Sequence, residues 1–296
     1  DTSVLLTNGG GTSGRLTSFT DKTGNITFTQ NTGAQKPTIG GSQNGLRFLD
    51  FGIGETAGGD NTNEDNLSGT LSSLASLGTG DFWIICLATH TGLYDDNDYG
   101  VIMTMGRGPA GAEGMLVRRF DTSAFGGSTE NISFLGYDPG TLVTNVSGSD
   151  PGDNTIFMFC TERTSQQQRV YSDGAVNATG IDTSATHDID DSTVTFGSEV
   201  SVFGGYDGNV YEFIYGNSTL AFADRRKLEG YLAHKWGVAS LLPSGHTYKS
   251  AAPTIPGGLG PSFSGGEFNN DLNFELSSDL NFDLDTILTN RRRKYD

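Results

Sequence analysis

The chain is short of cations, of cysteine and of long apolar runs. Its 296 residues carry 18 Lys+Arg against 35 Asp+Glu, a formal net charge of −17. That shortage excludes a nucleic-acid binder held by a basic surface, because phosphate recognition needs clustered Lys and Arg. It also argues against docking on an anionic membrane. No apolar run approaches the roughly 20 residues that span a bilayer, so no membrane insertion is expected. Two cysteines cannot staple a fold of this size, and they leave the redox compartment open. Cys86 and Cys160 lie in apolar, strand-like runs, as buried thiols or as a cross-strand disulfide. The first residue is Asp1 rather than Met, which reads as a cut chain or a start after another segment; no signal peptide is visible.

What the chain does have is glycine, 43 of 296 residues, roughly twice the usual ~7%. Charged residues make up only 18%, below the usual ~25%, and Ser, Thr and Asn are plentiful. This is the composition of a loop-rich all-β protein. Short apolar pieces appear at Val4–Leu6, Ile26–Phe28 and Leu46–Phe51. Phe82–Ala88 is a continuous apolar run, as for a strand covered on both faces. Gly100–Gly106, Gly114–Phe120, Asn131–Tyr137, Thr155–Arg163, Val194–Phe203 and Asn209–Tyr215 follow, separated by Gly/Asp/Pro turns. In the last, strict alternation puts Tyr211, Phe213 and Tyr215 on one face and Val210, Glu212 and Ile214 on the other. No strand–helix–strand alternation argues for a parallel sheet.

One helix is expected, over about 222–236. Asp224 stands in its first turn, His234 and Lys235 in its last, and Gly237 follows as the residue past the cap. Leu228, Tyr231, Leu232 and Trp236 form an apolar stripe at helical spacing, with Trp236 as a packing anchor. Residues 251–296 change character. A Pro/Gly-rich stretch leads into an imperfect repeat, Asp271-Leu-Asn-Phe-Glu-Leu276 and Asp279-Leu-Asn-Phe-Asp-Leu284. Leu272, Phe274 and Leu276 share one face, as do Leu280, Phe282 and Leu284. Arg291, Arg292, Arg293 and Lys294 close the chain. The division is therefore a body, 1–250, and an extended assembly arm, 251–296, which is too short and polar to bury a core of its own. The alternating pattern suits strand addition to a sheet edge.

Phe19-Thr20-Asp21-Lys22-Thr23-Gly24-Asn25, then Lys36-Pro37-Thr38 and Asn44-Gly45-Leu46-Arg47-Phe48, resembles the opening of concanavalin A-like, laminin-G-like jelly-roll domains. Gly208–Tyr215 resembles their last strand. Arg225 through Trp236-Gly237, followed by Leu242-Pro243-Ser244-Gly245-His246-x-Tyr248, is similar to the helix and tail of many phage and marine bacterial proteins of this type. Ser172-Asp173-Gly174 fits their central hairpin. The resemblance covers about residues 15–250 and implies an all-β fold: an antiparallel two-sheet jelly-roll sandwich with one helix and the extended arm.

Candidate chemistry is sparse. No Glu-x-Asp-x-x-Glu string, no Gly-x-Ser-x-Gly and no His-x-x-x-His occurs. Glu162 and Glu212 are lone strand carboxylates, expected to face solvent, and His234 and His246 read as structural. Among loops, Tyr94, Asp95, Asp96, Asp98 and Tyr99 combine carboxylates with aromatics. They could bind a glycan, or Ca²⁺ as laminin-G-like domains sometimes do; Asp188-Ile189-Asp190-Asp191 is a weaker acidic loop. No enzyme activity is expected. The leading expectation is a structural protein of a phage virion, a capsid decoration or a tail or fibre component, tied by its arm to other copies of itself and to other virion proteins. The alternative is a lectin-like, glycan-binding adhesin on a virion or an extracellular bacterial surface.

Overall fold

A computed structural model describes residues 14–21, 26–52, 65–71, 77–91, 99–106, 114–121, 130–138, 141–148, 151–165, 167–181, 189, 191–198, 205–253 and 273–277. The strands are β1 (Ser18–Thr20), β2 (Thr27–Thr29), β3 (Thr38–Ile39), β4 (Leu49–Phe51), β5 (Leu67–Thr70), β6 (Phe82–His90), β7 (Tyr99–Met105) and β8 (Gly114–Asp121). They continue with β9 (Glu130–Asp138), β10 (Thr141–Ser147), β11 (Ile156–Thr164), β12 (Gln167–Ser172), β13 (Ala175–Ile181), β14 (Thr193–Phe196), β15 (Gly208–Gly216) and β16 (Asn273–Ser277). The helix α1 spans Phe222–Lys235.

Two sheets result. The first runs β1-β2-β5-β14-β7-β8-β9-β10 and the second β13-β12-β11-β6-β15-β4-β3, with β16 beside β15. Every pairing is antiparallel except β15 with β16, which is parallel. The sandwich expected from the sequence is therefore the fold. Between the sheets lies one apolar core, built from Phe19, Phe28, Leu67, Val194 and Phe196 on one side and Phe82, Ile84, Phe157, Phe159 and Phe213 on the other. Phe28 and Phe213 both pack on Phe196, with ring centroids 5.3 Å apart in each pair.

A second core covers the other face of the second sheet. There α1 and the tail lay Leu228, Leu232, Ala233, Trp236 and Leu242 on Trp83, Ile85, Leu87, Met158, Cys160 and Ile214. This third layer explains why β6 reads as an unbroken apolar run: all nine of its residues are buried. It also separates the cysteines. Cys86 points into the core between the sheets and Cys160 toward the helix, so they are free thiols on opposite faces rather than a disulfide. Burial drives both thiol pKa values up, and neither is a ready nucleophile.

The alternation expected for β15 breaks. The pairing with β6 shifts register between Val210 and Glu212. Val210, Phe213 and Tyr215 join the core between the sheets, while Tyr211 and Ile214 face the helix. A bulge puts two consecutive residues on one face. Tyr211 therefore parts from Phe213, and Glu212 turns toward α1.

Local chemistry ends the elements where expected. Asp173 and Gly174 both adopt positive φ, 51° and 82°, the primed turn that joins two twisted strands. At the end of α1, Gly237 takes φ 70°. The Gly237 N–H donates to the His234 carbonyl and the Val238 N–H to the Ala233 carbonyl, which satisfies two carbonyls that the helix leaves open. Gly230 has to be glycine for another reason: a Cβ there would stand 2.5 Å from the Cβ of Tyr248, where the tail crosses the helix.

Candidate functional site

The carboxylates that the sequence placed at the surface are inside. Glu162 is 5% exposed and Glu212 fully buried. Glu212 accepts from Lys235 Nζ at 2.8 Å and from Trp236 Nε1 at 2.6 Å. Glu162 accepts from the Tyr171 hydroxyl at 2.6 Å and from Arg169 Nη1 at 3.0 Å. The reason is the helix layer: α1 turns Arg225, Glu229 and Lys235 inward along with its leucines. A third node lies beside these. Glu229 pairs with Arg225 and takes His246 Nε2 at 3.0 Å. The Arg225 guanidinium sits 3.8 Å from the centroid of the Tyr171 ring.

These groups tie α1 and the tail to the second sheet. Glu162 stands opposite Trp83 and Glu212 opposite Leu87, on the two sides of β6. Two strand spacings and four residues of rise separate their backbones by about 16 Å. His246 is structural, as expected. The Tyr248 N–H donates to its Nδ1 at 3.1 Å, so Nε2 carries the proton given to Glu229. His234 holds the tail at the Tyr248 carbonyl, 2.8 Å away.

Acidic groups also gather around β4. The Asp65 carboxyl is pushed up to about 7, by burial first; Arg15 opposes the shift and Asp50 adds to it. Arg15 Nη1 lies 3.3 Å from Asp65 Oδ1. A folded-state pKa above the unfolded value means that the folded chain holds this proton more tightly. Stability from Asp65 is thus fullest below about pH 4 and is lost as pH rises through 7. Asp65→Asn should flatten the fall in stability between pH 5 and 8. Urea unfolding at both pH values checks this, and an unchanged slope counts against it.

The outer face of the first sheet is built differently. Phe19, Phe28, Leu67, Val194 and Phe196 point into the core, so their strand neighbours point out. The strand register aligns Ser18, Thr29, Ser68, Thr195 and Thr104 across five strands. Thr20 and Thr27 pair in β1–β2, and Thr70 and Thr193 in β5–β14. Thr20 and Thr27 share a hydrogen bond of 2.9 Å between hydroxyls, as do Ser68 and Thr195. Thr27, Thr29, Ser68, Gly69, Thr70 and Thr193 line a shallow depression of about 400 Å³. None of these lining residues carries a charge. This face is not evident in the sequence, because its residues are scattered over strands of three and four residues. Alternation of Thr with an aromatic or aliphatic residue, as in Thr27-Phe28-Thr29 and Thr193-Val194-Thr195-Phe196, was the available signal.

Tyr94, Asp95, Asp96 and Asp98 lie outside the described residues; Tyr99 opens β7, and its side chain is outside them too. Among the described residues no group of three His, Cys, Asp or Glu could hold a metal. Phe274 and Leu276 lie in β16, whereas Leu272, Leu280, Phe282, Leu284, Arg291, Arg292 and Arg293 are outside the described residues. No described helix is long and apolar enough to cross a membrane.

No family model matches the chain, and no curated protein does. Solved structures resemble parts of it. A heptameric SAP-like pentraxin from Limulus polyphemus is 11% identical at a TM-score of 0.38, over 49% of this chain and 67% of that one. The CBM40 of the Ruminococcus gnavus IT-sialidase, bound to α2,3-sialyllactose, is 10% identical at 0.39, over 50% of this chain and 82% of that one. A botulinum neurotoxin type C structure, whose cell entry depends on two ganglioside molecules, is 10% identical at 0.49. That match covers 74% of this chain and about half, 51%, of the toxin chain.

Proposed function

We propose that the chain is a non-catalytic, lectin-like module that binds a neutral glycan on the outer face of its first sheet, displayed on a virion or a bacterial cell surface. The observation that carries this reading is the hydroxyl-lined depression at Thr27, Thr29, Ser68, Thr70 and Thr193. Each Thr or Ser hydroxyl is both donor and acceptor, as each sugar hydroxyl is, so the face can meet a sugar in several orientations. The absence of charge among the lining residues favours a neutral ligand over an acidic one. The carboxylates of Glu162 and Glu212 are engaged by Lys235, Trp236, Tyr171 and Arg169, which supports a binding rather than a hydrolytic reading.

The test is binding of neutral polysaccharides by affinity electrophoresis and calorimetry, with the double variant Thr27→Val/Thr70→Val. Both side chains are exposed, and Val keeps the shape and the strand propensity. Each lost hydrogen bond is worth about 0.5–1.5 kcal/mol, so affinity should fall by roughly 5- to 150-fold while the melting temperature holds. Failure to bind any neutral polysaccharide, or equal affinity in the variant, refutes the reading. A second reading, a structural component of a phage particle, is favoured by one feature: an arm segment that adds to a sheet edge.

A further inference from the structure

The hydroxyls on the outer face of the first sheet form a ladder with a regular repeat. Ser18, Thr29, Ser68 and Thr195 stand side by side on β1, β2, β5 and β14. Two residues along the same strands, Thr20 pairs with Thr27 and Thr70 with Thr193. The antiparallel register that sets Thr29 against Ser68 also sets Thr27 against Thr70, so the second row is continuous as well. Strands lie about 4.8 Å apart and side chains on one face recur every second residue, so the array measures about 14 Å across the strands by about 7 Å along them. It is four hydroxyls long and two wide. Its middle is open: Thr27, Thr29 and Thr70 are exposed, whereas Thr195 at one end is buried. Hydrogen bonds within the array join Thr20 to Thr27 and Ser68 to Thr195. Among the described residues the side chains of Thr29, Thr70 and Thr193 make no such bond. None of the residues lining the depression is aromatic.

We infer that this face takes the interior of a single extended, equatorially linked polysaccharide chain, laid across the strands with one sugar unit per strand; this rests on the glycan reading and deepens it. An equatorially linked pyranose unit is close in length to one strand spacing, so successive units meet equivalent hydroxyls. A chain laid along the strands would meet only two hydroxyls of any one strand. The depression is shallow, and its lining offers neither a charge nor a ring to fix one sugar. Each unit is then held by a few hydrogen bonds made in competition with water, and affinity accumulates along the chain rather than at its end. Sheet twist selects the physical state of the ligand. Neighbouring strands rotate by about 20–25°, so one row winds about the other by about 60–75° over the three steps. A single dissolved chain turns about its own axis and follows. The flat face of a crystalline polymer meets only part of the array at once.

Calorimetry of the full chain with cello-, β-manno- and xylo-oligosaccharides of one to six units tests it. In at least one series affinity should rise roughly fivefold per added unit and level off at about four units, the number of strands in the array. The soluble polymer of that series should bind at least roughly tenfold more tightly than its crystalline form. Ser18→Ala/Thr20→Val, at the β1 end, should move the plateau from about four units to about three, with disaccharide and trisaccharide affinity held within about twofold. Should that variant not fold, the wild-type series carries the test. A monosaccharide bound as tightly as a hexasaccharide overturns the inference and leaves the glycan reading standing. So does a neutral polysaccharide that binds while none of the three series does, tighter binding to the crystalline form, or a plateau unmoved in the folded variant. No binding to any neutral carbohydrate overturns both.

Discussion

Glu212→Ala should lower the stability of the chain by about 3–5 kcal/mol, read as a shift of the urea midpoint at constant slope. The carboxylate is fully buried. It receives two charge-assisted or polar donors from the end of α1, Lys235 Nζ at 2.8 Å and the Trp236 indole at 2.6 Å. Removing it strands a nearly buried ammonium and an indole N–H with no acceptor. The cost is that of the orphaned partners rather than of the pair itself. The same physics predicts that Glu212→Leu/Lys235→Met, which takes out both charges together, recovers most of the loss. A single variant that costs less than about 1 kcal/mol, or a double variant worse than the single, would show that the pair is not the anchor of the helix.

That pair also marks where the sequence stopped being legible. The strands were readable because short apolar runs between Gly/Asp/Pro turns have few other ways to bury themselves, and β6, β11 and β15 lie where those runs lie. The helix was readable from its end signals, and Gly237 ends it as expected. The burial of Glu162 and Glu212 was not readable. A lone carboxylate in a strand faces water unless something covers it, and what covers these two arrives 50 or more residues later for Glu162 and about 20 later for Glu212. The bulge at Val210–Glu212 compounds the problem, since it reverses the phase that strict alternation assigns to Tyr211. On the helix, Arg225 and Glu229 form an i,i+4 pair. They are 3% and 1% exposed because the helix is sandwiched between sheet and tail. The hydroxyl face was legible only in fragments, since its rows run across strands that are distant in sequence.

The second large effect belongs to Glu229. It lies at the centre of a chain of polar contacts that runs from the tail to the sheet: His246, Glu229, Arg225, the Tyr171 ring, Glu162 and Arg169. Glu229→Ala leaves the Arg225 guanidinium buried with no counter-charge, and should cost about 3–5 kcal/mol. It should also release the Leu242–Tyr248 segment, visible as faster amide exchange there than in β6. The histidine adds a pH signature. Burial holds the His246 pKa below its ordinary value, more than the Glu229 hydrogen bond raises it, so the imidazole is neutral in the fold. Unfolded, it takes up a proton near pH 6.5. The unfolded state therefore binds more protons between the folded pKa and 6.5, and stability falls as pH drops through that window. The sign is opposite to that of Asp65, whose contribution grows on acidification, so the two are separable by mutation. His246→Gln should remove part of the loss below pH 6.5 while lowering stability at pH 8, where the hydrogen bond to Glu229 is intact in the wild type. If wild type and His246→Gln lose stability in parallel from pH 7 to 5, His246 does not titrate with folding, and the neutral, buried imidazole assigned here is wrong.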